Sequence, residues 1–273
     1  MAGAEKDRER AQAASGEELT ALLHHPDTGV LLAVLDNPAL DESQLGILLE
    51  RKDLASEILE EIARRKPLLK AYRVKRGLAF HPRTPRLVML RLLRELYLMD
   101  LVQLTLSPAV PTELRLHAED HLIARLPQLP LGQKITLARR GPARLGGALL
   151  TDGHANIVPI VLDNPHLTEA QVLKALSREK LPPGVVQALA HHRKWSLCYN
   201  VRLALVRNPA SPLSVVLGFL PELTVSDLRE LASPGIVPES LRKYLQAEVQ
   251  HRVRPREKSS SRDATTLPPD ASN

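Results

Sequence analysis

The pentad VLDNP stands at 34–38 and again at 161–165, and a longer self-similarity surrounds it. A shift of 127 residues (164 minus 37) sets VLDNPALDESQLGILLERKDL over VLDNPHLTEAQVLKALSREKL, with 11 of 21 positions identical. The same shift places Tyr72, Val74, Leu78, Pro82, Pro85, Val88 and Leu90 over Tyr199, Val201, Leu205, Pro209, Pro212, Val215 and Leu217. SPAVPTEL at Ser107 meets SPGIVPESL at Ser233 with one residue inserted. The chain therefore reads as an internal duplication, which divides it into a polar N-terminal segment (1–20), copy one (21–126), a connecting segment (127–147), copy two (148–253) and a tail (254–273). The N-terminal end is expected to fray. The tail, rich in Ser, Pro and charge, is expected to be disordered.

Proline-marked turns set the period inside each copy. They fall at Asn37-Pro38, His81-Pro82 and Ser107-Pro108, then at Asn164-Pro165, Asn208-Pro209 and Ser233-Pro234, with spacings of 44 and 26 and again 44 and 25. A spacing near 44 matches a two- or three-helix repeat unit of the HEAT and armadillo kind. At each joint, asparagine in the left-handed conformation is expected to close one helix, and the proline blocks its continuation. Asp41 with Gln44 and Thr168 with Gln171 have capping-box spacing. Thr84-Pro85 and Ser211-Pro212 read as an N-cap followed by proline at the first helical position. Ala71, Val74 and Leu78 form an i, i+3, i+7 apolar stripe that Cys198, Val201 and Leu205 repeat. With two Phe, four Tyr and one Trp in 273 residues, the core must be aliphatic, and the expected class is all-α.

The phrase RLALVRNPASPLSVVL, from Arg202, resembles the bacterial leucine-rich repeat variant pattern, in which a helix ending in Asn-Pro leads through a short turn to a Thr/Ser-Pro helix start. The Asn37, His81, Asn164 and Asn208 turns share it clearly and the Ser107 and Ser233 turns loosely, while the uneven spacing departs from a uniform repeat. More broadly the chain resembles a HEAT-type α-solenoid. The resemblance implies a right-handed solenoid of stacked helix pairs that serves as a binding surface for proteins or nucleic acids. Some leucine-rich repeat variant proteins carry an iron–sulfur cluster on a cysteine-bearing segment. Cys198 stands alone here, so that feature does not carry over and no cofactor is expected.

A single cysteine fits a reducing compartment, and the polar start MAGAEKDRERAQAASGEE lacks the apolar run of a secretory signal. The expected location is the cytoplasm, with no membrane span. His117 and His121 have metal-site spacing on one helix side, but HAEDH is not HExxH, a third ligand is missing, and the copy-two positions are Tyr244 and Glu248. The pairs His24-His25 and His191-His192 diverge on a helix. GPARLGG, from Gly141, lacks the Lys-Ser/Thr ending of a phosphate loop. Tyr72 and Tyr199 read either as ligand-stacking rings or as packing residues with wet hydroxyls. Trp195 reads either as a partner anchor or as the seal of a repeat junction.

Charge carries the most functional content. The net charge is +6, yet from Arg64 to Arg94 there are eleven Lys or Arg and no Asp or Glu. Such a block is a solvated face or a seat for an acidic partner, with Arg73, Arg76, Arg83, Arg86, Arg91 and Arg94 as the candidate contacts. Scarcity of rings argues against stacking single-stranded bases and for contact with duplex phosphates. The primary expectation is a non-enzymatic scaffold for a protein partner. The alternative is a nucleic-acid-binding module using the block at 64–94. A HEAT-like DNA repair enzyme comes third, because base chemistry needs a ring-lined pocket with a committed acid. No small-molecule substrate is inferred.

Overall fold

The computed structural model describes residues 2–178 and 180–253, and every regular element among them is helical. The tail at 254–273 lies outside the described residues. The chain divides into two compact units, Met1–Leu131 and Gly132–Asn273. Unit 1 carries α1 (Ala2–Ala13), α2 (Gly16–Leu22), α3 (Thr28–Leu35), α4 (Glu42–Glu50), α5 (Ser56–Arg64), α6 (Tyr72–Phe80), α7 (Arg86–Leu92), α8 (Leu98–Leu106) and α9 (Thr112–Arg125). Unit 2 carries α10 (Leu131–Arg140, starting at the boundary), α11 (Ala143–Asp152), α12 (Val158–Leu162), α13 (Glu169–Leu176), α14 (Pro183–His191), α15 (Tyr199–Arg207), α16 (Leu213–Phe219), α17 (Val225–Leu231) and α18 (Glu239–Val253).

Under the 127-residue shift, α5, α6 and α7 start and end at the residues that bound α14, α15 and α16. The 3-10 turns Leu68–Lys70 and Trp195–Leu197 correspond in the same way. The inserted residue before α18 has a visible effect. α17 ends at Leu231, two residues short of the position matching Leu106, and Gly235 takes up the extra length at φ 86, a backbone region that side chains disfavour.

Packing is local in the chain. The main partners in unit 1 are α1 with α3, α3 with α5, α4 with α6, and α8 with α9; in unit 2 they are α11 with α13, α13 with α15, and α17 with α18. Val74, Leu78 and Ala79 of α6 are fully buried, as are Val201 and Leu205 of α15. The stripe is shorter than its sequence pattern. Ala71 and Cys198 take extended backbone as N-caps and are half-buried, so they precede the helical face. The Cys198 thiol donates to the Lys194 carbonyl at 3.6 Å.

The joints work through side chains. No residue other than glycine has positive φ among the described residues, so the asparagines do not close helices in the left-handed conformation. Instead Asn37 is buried, accepts the Ala39 amide at 2.8 Å and donates to the Ala11 and Ala14 carbonyls, both at 2.8 Å. Asn164 accepts the His166 amide and donates to the Ala138 and Gly141 carbonyls at 2.9 and 3.0 Å. Asn208 accepts the Ala210 amide and donates to Leu176 O at 2.6 Å. His81 does the same with a ring: Nδ1 accepts the Arg83 amide, so Nε2 carries the proton and donates to Arg51 O at 2.6 Å. A primary amide or a neutral imidazole fits because each offers an acceptor and a donor on opposite sides. Each latch meets carbonyls that a helix end leaves without partners.

These latches tie in both segments that the duplication had set apart. Residues 2–22 hold α1 and α2, with Asn37 gripping the end of α1. Residues 131–152 hold α10 and α11, with Asn164 gripping the end of α10.

Thr84 and Ser211 also face backwards. α7 and α16 begin after N-cap prolines, one residue later than expected, and the hydroxyls donate to the carbonyls of Leu78 (2.6 Å) and Leu205. The capping box forms at Asp41 and Gln44, with 2.7 and 3.1 Å bonds, whereas Thr168 makes no side-chain cap. The difference lies in the anchor: Gln44 is also held by Thr20 Oγ1 at 3.2 Å, and the residue matching Thr20 is Gly147, which has no hydroxyl.

Candidate functional site

Five of the eleven cations of the basic block, Arg64, Arg65, Lys75, Arg76 and Arg86, pair with carboxylates from outside it. Arg65 reaches Asp36 and Glu61, and its guanidinium also caps Leu35 O. Lys75 pairs with Glu95 at 2.5 Å. Arg76 pairs with Asp100 at 2.8 Å and stands over the Phe80 ring at 5.1 Å. Arg83 donates to Asp53 O at 2.9 Å, and Arg86 pairs with Glu113 at 2.7 Å. Pairs this exposed contribute about 0–1 kcal/mol each, and they offset part of the positive charge that the sequence suggested. The composition of 64–94 hides this because the acids lie before and after the block and are brought in by the packing of α3, α5, α6, α8 and α9.

Of the six candidate arginines, Arg73, Arg91 and Arg94 make no ion pair or side-chain hydrogen bond among the described residues. Arg73 lies along α4 beside Gly46, its Nε 3.2 Å from where a Cβ would stand. Arg91 and Arg94 come together on the outer side of α7 and the turn after it. Leu87, Leu90, Arg91 and Arg94 are spaced i, i+3, i+4, i+7, so they share one face, while Val88, Met89, Leu92 and Leu93 fill the core. Leu87 is 74% exposed. Together with Glu95, which pairs with Lys75, these residues border an open hollow of about 740 Å³. Through Leu90 and Arg94 it adjoins a second hollow of about 390 Å³, walled on the α9 side by His117, Asp120 and His121. Burial, then the nearby Arg125, Arg94 and His117, holds His121 below its ordinary pKa, which favours a neutral ring beside the cations.

Leu87 and Leu90 were missed in the sequence because RLVMLRLLR is nearly continuous in apolar residues. The recoverable signal is that Leu87 lies outside the 3.6-residue stripe of Val88, Met89 and Leu92.

The other candidates serve the frame. The Tyr72 hydroxyl donates to Asp100 and accepts the Tyr97 amide at 2.9 Å, and Tyr199 repeats this with Asp227 and the Thr224 amide at 3.0 Å. Each hydroxyl organises the first turn of α8 or α17. Burial and the Asp100 hydrogen bond push the Tyr72 phenol up to about 12. Tyr97 stacks on Tyr72 with ring centres 3.9 Å apart. Trp195 is 1% exposed, so it is a seal and not an anchor; its indole donates to Leu162 O at 2.9 Å. His192 pairs with Asp163 at 3.4 Å, and His25 accepts the Asp27 amide at 3.0 Å. Among the described residues, no three His, Cys, Asp or Glu side chains group as metal ligands, and no helix is long and apolar enough to cross a membrane.

Compared with protein-family models, curated proteins and solved structures, the chain finds no match.

Proposed function

We propose that the chain is a non-enzymatic, right-handed α-solenoid, built by duplication of one frame, and that it binds a protein partner through the α7–α9 face of unit 1. The chain-local helix packing and the matching helix bounds support the solenoid and the duplication. The observation that carries the binding reading is an exposed Leu87 flanked by Leu90 and by two arginines without carboxylate partners among the described residues. Exposed apolar surface beside arginine is the usual make-up of a protein contact, and its chemistry suits a helix or loop that is apolar with acidic flanks. Cys198, His25, His192 and both tyrosines are occupied in holding turns, which supports a binding role over catalysis.

Nucleic-acid binding is the weaker reading, since Arg76, Arg83 and Arg86 are already engaged. The test compares wild type with Leu87→Asp and with the Arg91→Glu, Arg94→Glu double variant. The expected result is a specific partner retained by wild type and released by both variants, with unchanged circular dichroism melts. Tight binding to duplex DNA that weakens steeply with salt and is lost only in the arginine variant would replace this reading.

A further inference from the structure

The seam between α13 and α15 in unit 2 differs in kind from its counterpart in unit 1. In unit 1, α4 and α6 meet through Gly46 and Gly77. A Cβ on Gly77 would stand 2.8 Å from Leu49 Cδ1 and 3.2 Å from its Cβ, so a larger residue there would push Leu49 aside, and Arg73 lies across Gly46. The matching residues in unit 2 are Leu173, Ala204 and Asn200. Phe80, which lies under Arg76, is matched by Arg207, whose guanidinium turns to Glu230 at 2.6 Å. Two side chains larger than glycine line this seam, a ring is replaced by an arginine drawn aside, and a pocket of about 440 Å³ opens. Leu173, Leu176, Leu203 and Ala204 give it an apolar lining, and Arg178 and Arg207 stand at its rim.

The volume falls within the range of small-molecule sites. The rim sets the charge of the occupant. Arg207 is balanced by Glu230, and neither Glu230 nor Glu169, to which Asn200 donates at 2.9 Å, lines the pocket. Arg178 is exposed, and its side chain makes no ion pair or hydrogen bond among the described residues. A cation beside an apolar hollow is matched by an anion on an apolar body, and a carboxylate forms charge-assisted, bidentate bonds with a guanidinium.

We propose that this pocket binds a small apolar monocarboxylate, with the chain of the acid between α13 and α15 and its carboxylate on Arg178. The site is independent of the α7–α9 face, so either proposal can fail alone.

Sodium octanoate is the probe and octanamide its neutral match. Amide shifts in the NMR spectrum of the full chain should move at Leu173, Leu203 and Ala204 with octanoate and saturate with Kd near ~1 mM or below. Octanamide should bind roughly tenfold more weakly, because the charge-assisted bond is lost. Arg178→Gln should bring octanoate to the octanamide level, and Ala204→Phe should abolish binding of both by filling the hollow. Arg178 is exposed, so its substitution tests the idea even where Ala204→Phe disturbs the fold. Equal binding of acid and amide, octanoate shifts that do not saturate, or octanoate affinity unchanged in Arg178→Gln would each overturn the proposal.

Discussion

The two units satisfy the same backbone groups with different chemistry. The carbonyl of Leu35, at the end of α3, is capped by the Arg65 guanidinium; that of Leu162, at the end of α12, by the Trp195 indole. The aspartates that follow, Asp36 and Asp163, face Arg65 and His192. Lys75 with Glu95 becomes Arg202 with Glu222. At the second proline turn, a histidine in unit 1 does what an asparagine does in unit 2. What recurs is a set of obligations on helix-end carbonyls, and any donor of the right reach discharges them. Where no such obligation exists, at the outer side of α7 and in the α13–α15 seam, the units diverge most.

The largest test of this equivalence lies in the core. Leu78→Ala and Leu205→Ala each remove a fully buried side chain from a matching position and should each cost about 2–5 kcal/mol. Hydrogen exchange read separately over 5–130 and 132–253 should show loss of protection chiefly in the unit that carries the substitution. Equal loss in both units from either variant would mean that the two do not open independently.

Next in size are the latches. Asn37→Ala and Asn164→Ala each leave two buried carbonyls and one amide without their partner, for about 1–3 kcal/mol apiece. Urea melts should place the two variants close together. A null effect at one of them would show that its frame is held by something other than the amide.

The smallest effect separates His81 from Asn208. Burial is the main cause holding His81 below its ordinary pKa, with Lys52 and Arg83 adding to it against the Arg51 carbonyl bond. A depressed folded pKa means that the unfolded chain takes up the proton first. The stabilisation is complete above the unfolded value of about 6.5 and declines as pH falls through it toward the folded value. Protonation would also place a donor against the Arg83 amide. Urea midpoints at about pH 7.5 and about pH 5.5 should fall more for wild type than for His81→Asn, the residue that unit 2 carries at that turn. Equal falls would remove His81 from the pH response.

Helical class and joint positions were legible in the sequence because proline, asparagine and the aliphatic stripe act locally. Asn37 and Thr84 were placed at the right joints, but their mechanism was not legible: their partners lie at Ala11, Ala14 and Leu78, chosen by how helix ends meet. The pairing within the charge block was not legible for the same reason, since Asp36, Glu61, Glu95, Asp100 and Glu113 reach it only through folding. The α13–α15 pocket left no motif at all. It arises from pairwise differences such as Gly77 against Ala204, whose meaning depends on how closely two helices approach.

The packing of each helix against neighbours one or two elements away governs how the molecule comes into being. Contacts at short sequence separation close small loops, so little chain entropy is lost before a contact is gained, and folding of such an arrangement is fast. All of unit 1 precedes unit 2 in the chain, and its latches join residues no more than about thirty apart. During synthesis each turn of the frame can lock as soon as its partner helix leaves the ribosome, with no later segment required to hold it.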